Sequence, residues 1–177
     1  MVREIRDIEQ NLPFPILGFD CDNGSEFLNH HLVRYFTQRP QNPVQFTRSC
    51  AYKKNDNAFV EQKNWTHVRQ LLGYDRLDNK QLVPLLNELC KTEWSLFNNF
   101  FCPSMKLKQK QRINSRYRKT YDSPQTPYQR VIASPDVSEN AKNSLHKLYC
   151  SLNPFKLKAG IEMKLNSIFD VQKLPPT

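Results

Sequence analysis

Gly18-Phe19-Asp20-Cys21-Asp22-Asn23-Gly24-Ser25-Glu26-Phe27 is the stretch on which the reading of the fold turns. Ile16-Leu17-Gly18-Phe19 begins a short apolar strand once Pro13 and Pro15 have broken the helical pattern of residues 3–10. Asn23-Gly24 favours a tight turn, and Ser25 is suited to cap a helix from Glu26 to about Phe36, on which Phe27, Leu28, Leu32, Val33 and Phe36 recur at helical spacing. The spacing therefore predicts a strand, a turn and a helix with acids at the elbow. Strand alternation sends Asp20 and Asp22 to one face and Phe19 and Cys21 to the other. A plainer reading is an Asp-Asn-Gly turn in which Asp22 bonds its own backbone.

Downstream, Pro40-Gln41-Asn42-Pro43 turns the chain into a second short strand, Val44-Gln45-Phe46-Thr47. A helix from about Ala58 to Leu72 then carries Glu61, which at about 100° per residue falls among Ala58, Trp65, Val68, Leu71 and Leu72. A carboxylate inside an apolar arc needs a partner, since burying an unpaired charge is costly. The alternative is a first-turn Glu favoured by the helix dipole. Strand-borne Asp22 and helix-borne Glu61 meet only if the tertiary fold brings a strand end against a helix.

Leu82, Leu85, Leu86, Leu89, Trp94, Phe97 and Phe100 predict a long helix over 79–101, with Asp78 at its start and Pro84 either in its first turn or at a kink. Ser134-Pro135 and Asn153-Pro154 repeat a cap-and-proline signal. They predict two helices, one striped by Val137, Ala141, Leu145, Leu148 and Leu152, the other by Leu157, Ile161, Leu165, Ile168 and Phe169. Residues 174–177 read as a frayed tail.

The 177 residues carry a formal charge of +9, which points to a polyanionic partner, with nucleic acid the obvious candidate. Aromatics at 11% argue for a folded chain although only 38% of residues are hydrophobic. Between Pro103 and Arg130 eight cations, Lys106, Lys108, Lys110, Arg112, Arg116, Arg118, Lys119 and Arg130, face Asp122 alone. Tyr117, Tyr121 and Tyr128 interleave with them, a pattern suited to phosphate contact and base stacking. A solvated basic face or flexible linker is the alternative. Cys21, Cys50, Cys90, Cys102 and Cys150 form no Cys-x-x-Cys pair and read as buried free thiols. His30, His31, His67 and His146 have no ligand spacing. No run approaches the ~18 consecutive apolar residues of a membrane span, and the start of the chain is no signal peptide, so the expected compartment is the cytosol, with no membrane partner.

The two acidic stretches resemble the DDE group of insertion-sequence transposases, whose catalytic core is of the retroviral-integrase type. Phe19-Asp20-Cys21-Asp22-Asn23-Gly24-Ser25-Glu26-Phe27 is similar to that family's second-acid motif. Asp56-Asn57-Ala58-Phe59-Val60-Glu61-Gln62-Lys63-Asn64 is similar to its glutamate motif. Thr126-Pro127-Tyr128-Gln129-Arg130 and Asn153-Pro154-Phe155 resemble the downstream part of one bacterial subgroup. The resemblance implies an α/β class, an incomplete ribonuclease-H-like core over 1–101, a basic DNA-contacting segment over 102–132 and a helical hairpin over 133–173.

It also implies that Asp22 and Glu61 are two of three acids holding two Mg2+ or Mn2+ ions, that Lys63 and the cations of the basic segment contact DNA, and that the intact enzyme cleaves and joins DNA strands. Nothing before Pro13 resembles the strand that carries the family's first acid, so the expectation is a C-terminal piece, inactive alone, that forms homo-oligomers or joins a full-length transposase. The alternative is a non-enzymatic nucleic-acid-binding or transposase-regulating remnant.

Overall fold

A computed structural model describes residues 2–22, 24, 29–40, 43–50 and 58–173, with side chains of 58–60 left aside. The protein mixes helix with two small sheets and separates into two compact units, Met1–Asp75 and Arg76–Thr177.

In the first unit, helix α1 (Val2–Asn11) precedes strand β1 (Gly18–Cys21), helix α2 (His30–Thr37) and strand β2 (Gln45–Arg48). β1 and β2 pair in parallel from Gly18 opposite Gln45 to Cys21 opposite Arg48. Parallel neighbours require a crossover, and α2 lies within it. Ile5, Leu32, Phe36 and Val44 form the buried cluster, with Phe19, Tyr35 and Phe46 packed against it. The Phe19 ring stacks on Phe36 at 4.7 Å and on Phe46 at 5.7 Å. Phe19 thus points into the core, as alternation along the strand requires.

Helix α2 starts later than the sequence pattern predicts. Asn29 is extended, with φ −93° and ψ 150°, and its side chain accepts the Leu32 N–H, so the helix begins after Asn29. The expected cap Ser25, with Phe27 and Leu28, lies outside the described residues. The expected helix over 58–72 is present as α3 (Ala58–Asn64), a π-helical turn π1 (Trp65–Arg69) and α4 (Gln70–Leu72).

In the second unit, α5 (Leu82–Leu89), a π turn π2 (Cys90–Trp94) and α6 (Ser95–Phe101) form the expected long helix. Pro84 sits in the first turn, where its missing N–H costs no helical hydrogen bond. Asn79, not Asp78, supports the start: its Oδ1 accepts the Gln81 N–H at 2.9 Å, while Asp78 pairs with Arg76 at 2.8 Å.

Strands β3 (Leu107–Ile113) and β4 (Arg116–Tyr121) then form an antiparallel hairpin, followed by α7 (Pro127–Ala133), α8 (Glu139–Ser151) and α9 (Pro154–Gln172). Thr126 and Gln129 make a capping box with Pro127 in the first turn of α7. Asn153 caps α9 as expected, accepting from Phe155 and Lys156. The cap of α8 is Ser138, not Ser134. Ser134 instead accepts the Asp136 N–H, and buried Val137 lies in the turn before the helix.

Both helices expected in the C-terminal hairpin exist, yet each takes its main packing elsewhere: α8 on α7, and α9 on α5, π2 and α6. Leu82, Leu89, Phe100, Ile161 and Ile168 are the buried apolar residues of these helices. Lys164 on α9 clamps the long helix by pairing with Glu88 at 2.8 Å and Glu93 at 2.7 Å. No described helix is long and apolar enough to cross a membrane.

Candidate functional site

The acidic elbow is tied into the backbone. Asp22 follows the last residue of β1 and is half-buried, and its Oδ1 accepts the Gly24 N–H at 3.0 Å. An Asp side chain bonding the backbone two residues on is the plainer of the two readings of this stretch. Asp20, exposed, sits opposite Thr47 in the sheet and accepts its hydroxyl hydrogen bond at 2.7 Å. Between them Cys21 turns inward and places Sγ 3.7 Å from the Thr47 carbonyl. Burial pushes its thiol pKa up, and the negative charges of Asp22 and Asp20 push it further, so it is an inert thiol rather than a nucleophile.

Glu61 lies in the first turn of α3 and is exposed, which corrects the expectation of a carboxylate inside a buried apolar arc. The part of the arc around Trp65 and Val68 is open, these being 50% and 41% exposed, and it is covered only toward its end, where Leu72 is buried. The π turn explains part of the difference, because i→i+5 bonding over Trp65–Arg69 moves later residues off the ideal wheel. The helix end folds on itself, Trp65 lying 5.9 Å from the Tyr74 ring and Arg69 5.3 Å above it. Lys63, in the last turn of α3, is exposed.

Carboxylate oxygen is the right donor for Mg2+ or Mn2+. The number of donors falls short: among the described residues no group of three or more His, Cys, Asp or Glu side chains can hold a metal ion.

The cations of the basic segment are brought together. Lys108, Lys110 and Arg112 on β3, and Arg116, Arg118 and Lys119 on β4, line a ribbon whose every residue is exposed. Asn114, at φ 56°, opens the two-residue loop, as the common two-residue hairpin turns require at that position. Lys110 lies opposite Lys119, and Arg112 opposite Tyr117. The Lys110 ammonium rests 4.4 Å over the Tyr117 ring. Lys106 lies at the root, where its N–H and Arg130 Nη1, the latter at 2.6 Å, both reach Asp122. Arg130 Nη2 also donates to the Ser104 carbonyl at 2.7 Å, and Ser104 pairs with Gln125 in an isolated bridge.

Tyr128 does not belong to this surface. It is half-buried in α7, stacked on Tyr149 at 4.8 Å and hydrogen-bonded to His146 Nδ1 at 2.9 Å. The thiols also differ from expectation: none of the five is in a disulfide, but Cys50, Cys90 and Cys150 are exposed and only Cys21 is buried. The hairpin is not among the elements expected from the sequence. Its signals are the alternation Lys108-Gln109-Lys110-Gln111-Arg112, the Asn114-Ser115 turn, and Ile113, Tyr117, Thr120 and Tyr121 flanking that turn.

No family model matches this chain, and no solved structure matches it. The uncharacterized protein y4rM of Sinorhizobium fredii (strain NBRC 101917 / NGR234) is 44% identical over 118 residues, covering 67% of this chain and 33% of that protein. The chain thus spans about a third of the length of the curated relative it matches.

Proposed function

We propose that the chain is part of a DDE-type transposase or integrase that, in its intact form, cleaves and joins DNA strands. The observation that carries this reading is the carboxylate Asp22 at the end of the strand of a β1-α2-β2 parallel unit, followed in the chain by a helix bearing Glu61. Carboxylates held at a strand end and on a helix are the rigid supports such a metal site needs. The core would be ribonuclease-H-like. Asp22 and Glu61 would hold the Mg2+ or Mn2+ ions together with a third acid from outside the described residues. Those ions, when bound, activate the attacking oxygen and stabilise the leaving one. In this reading the chain works as one portion of a larger enzyme, in a homo-oligomer or beside a full-length transposase.

A strand-nicking assay on supercoiled DNA with Mg2+ or Mn2+ tests this. The chain alone should not cut. Supplemented by a polypeptide carrying the third acid, it should cut, and both Glu61→Gln and Asp22→Asn should abolish cutting. Cleavage indifferent to both substitutions would sink the assignment. A second reading, a non-enzymatic nucleic-acid-binding or transposase-regulating protein, is favoured by the exposed basic ribbon and gains ground if the supplemented chain binds DNA but never cuts.

A further inference from the structure

We propose that the β3–β4 hairpin is a ribbon that enters the major groove of duplex DNA, leading with the face that carries Lys110, Arg112, Tyr117 and Lys119. The proposal rests on the reading above for the identity of the polyanion as DNA, and on the hairpin's own geometry for everything else.

The ribbon is built against its own electrostatics. Its 107–121 span holds six cations and no acid, and both strands are exposed from end to end. Directly opposed residues share a face and interact most closely, so Lys110 against Lys119 is a repulsive pair. A two-stranded hairpin without a covering layer is already marginal in water. Phosphates close to both ammonium groups would turn the repulsion into binding energy, with counterion release adding to it. A solvated surface has no such reason to oppose lysines across a ladder.

The root fixes the direction of the arm. Asp122, the sole acid between Pro103 and Arg130, spends Oδ1 on the Lys106 N–H and Oδ2 on Arg130. It is therefore engaged at the base, and no carboxylate along the strands competes with phosphate. Arg130 joins this root to α7 and, through the Ser104 carbonyl, to the chain entering β3.

Size selects the groove. Paired strands lie about 4.8 Å apart and rise about 3.4 Å per residue, giving an arm roughly 20 Å long and narrow enough for the ~12 Å major groove of B-DNA. The major groove of A-form RNA is deep and narrow and excludes such an arm. The two faces are unequal: Lys110, Arg112 and Lys119 with Tyr117 line one, while Gln109, Gln111 and Ile113 line the other beside Arg116, Arg118 and Thr120. Lys110 is also held over Tyr117, which prepays part of the cost of ordering its long side chain.

The test is a fluorescence-anisotropy salt series on the full chain with a 5′-labelled duplex of about 20 base pairs, the matching single strand and an RNA duplex, the log–log slope reading about −0.9 per phosphate neutralised on duplex DNA. The duplex should bind tightest, and Lys110→Gln/Lys119→Gln should flatten its slope by roughly 1.8, two phosphate contacts, while Arg116→Gln/Arg118→Gln flattens it less. Backbone amide shifts during the duplex titration should concentrate in 107–121, and circular dichroism verifies that each variant stays folded. Tighter binding to the single strand, equal loss from both faces, or shifts located elsewhere would overturn the groove assignment while leaving DNA as the partner, and tighter binding to the RNA duplex would overturn the partner as well. Absence of duplex binding by the unmodified chain would overturn it outright. The nicking result moves independently, so a ribbon that binds in a protein that never cuts separates this inference from the enzymatic reading.

Discussion

Arg130 Nη1 lies 2.6 Å from Asp122 Oδ2, and the two side chains are only 19% and 15% exposed. The Arg130 hydrogen bond, backed by the Lys106 N–H, holds the Asp122 carboxyl below its ordinary range. A lowered acid contributes above its ordinary value and loses that contribution as pH falls through the lowered one. The root should therefore stay closed through ordinary acidic pH and open only below about 3.8. Asp122→Asn removes the charge and leaves Arg130 half-buried beside a neutral amide. Hydrogen exchange should then accelerate at the Lys106 and Asp122 amides by on the order of tenfold and stay unchanged in α9. Uniform acceleration across the unit would show that the pair holds the unit together rather than the root of the ribbon.

Glu9 offers a pH test in the first unit. Its carboxylate is bidentate with Arg39, both contacts at 2.8 Å, and it also accepts the Tyr35 hydroxyl. Arg39 itself lies 4.3 Å over the Tyr35 ring, so α1 and α2 are joined by one polar group. The Arg39 hydrogen bonds lower the Glu9 pKa in spite of burial. Stability from this group is full above the ordinary value of 4.5 and drains as pH falls below it. Glu9→Gln should cost the first unit about 1–3 kcal/mol at neutral pH and flatten its acid sensitivity. An unchanged acid limb in urea titrations would refute the assignment.

How much of this was legible in the sequence depended on whether the deciding interaction was local. Asn153-Pro154 specifies the start of α9 because cap and first-turn proline act within one turn. Ser134-Pro135 has the same local signature and fails, because the burial of Val137 takes the chain through an extra turn and hands the cap to Ser138. Thr126-Pro127-Tyr128-Gln129 carries a complete capping box that marks α7, a second local signal that acts within one turn. Asp22 at a strand end was readable from alternation. The exposure of Glu61 was not, since a wheel records which residues share a face and says nothing about whether any layer covers it.

The long helix provides a packing prediction. Leu89 is fully buried, as is Ile168 on α9, the helix that packs against α5. Leu89→Ala removes three carbons from a closed site and should destabilise the second unit by about 3 kcal/mol, the middle of the range for such truncations. Val83 on the same helix is 55% exposed, so Val83→Ala should change stability by less than about 0.5 kcal/mol. Equal costs from the two substitutions in a denaturant midpoint comparison would mean that the α5 face is not packed as described.

Gly160 sits inside α9 one turn before Lys164, and a Cβ added there would stand 3.1 Å from Glu93 Cγ. Two effects compete. Alanine is the better helix former by about 1 kcal/mol, which favours substitution. The Glu93 methylene must retreat by a few tenths of an ångström, and its carboxylate is held at 2.7 Å by Lys164 and hydrogen-bonded by Thr92. The obstructing atom belongs to a rotatable side chain rather than to backbone, so propensity should win: Gly160→Ala is expected to stabilise the second unit by about 0.5 kcal/mol. Releasing the carboxylate should recover the remainder, so in a Lys164→Met background the same change is worth nearly the full ~1 kcal/mol. A double-mutant cycle by chemical denaturation measures the difference. If Gly160→Ala destabilises in both backgrounds, the contact with Glu93 is more rigid than its side-chain nature implies. If its gain is identical in both, Lys164 does not set the position of Glu93.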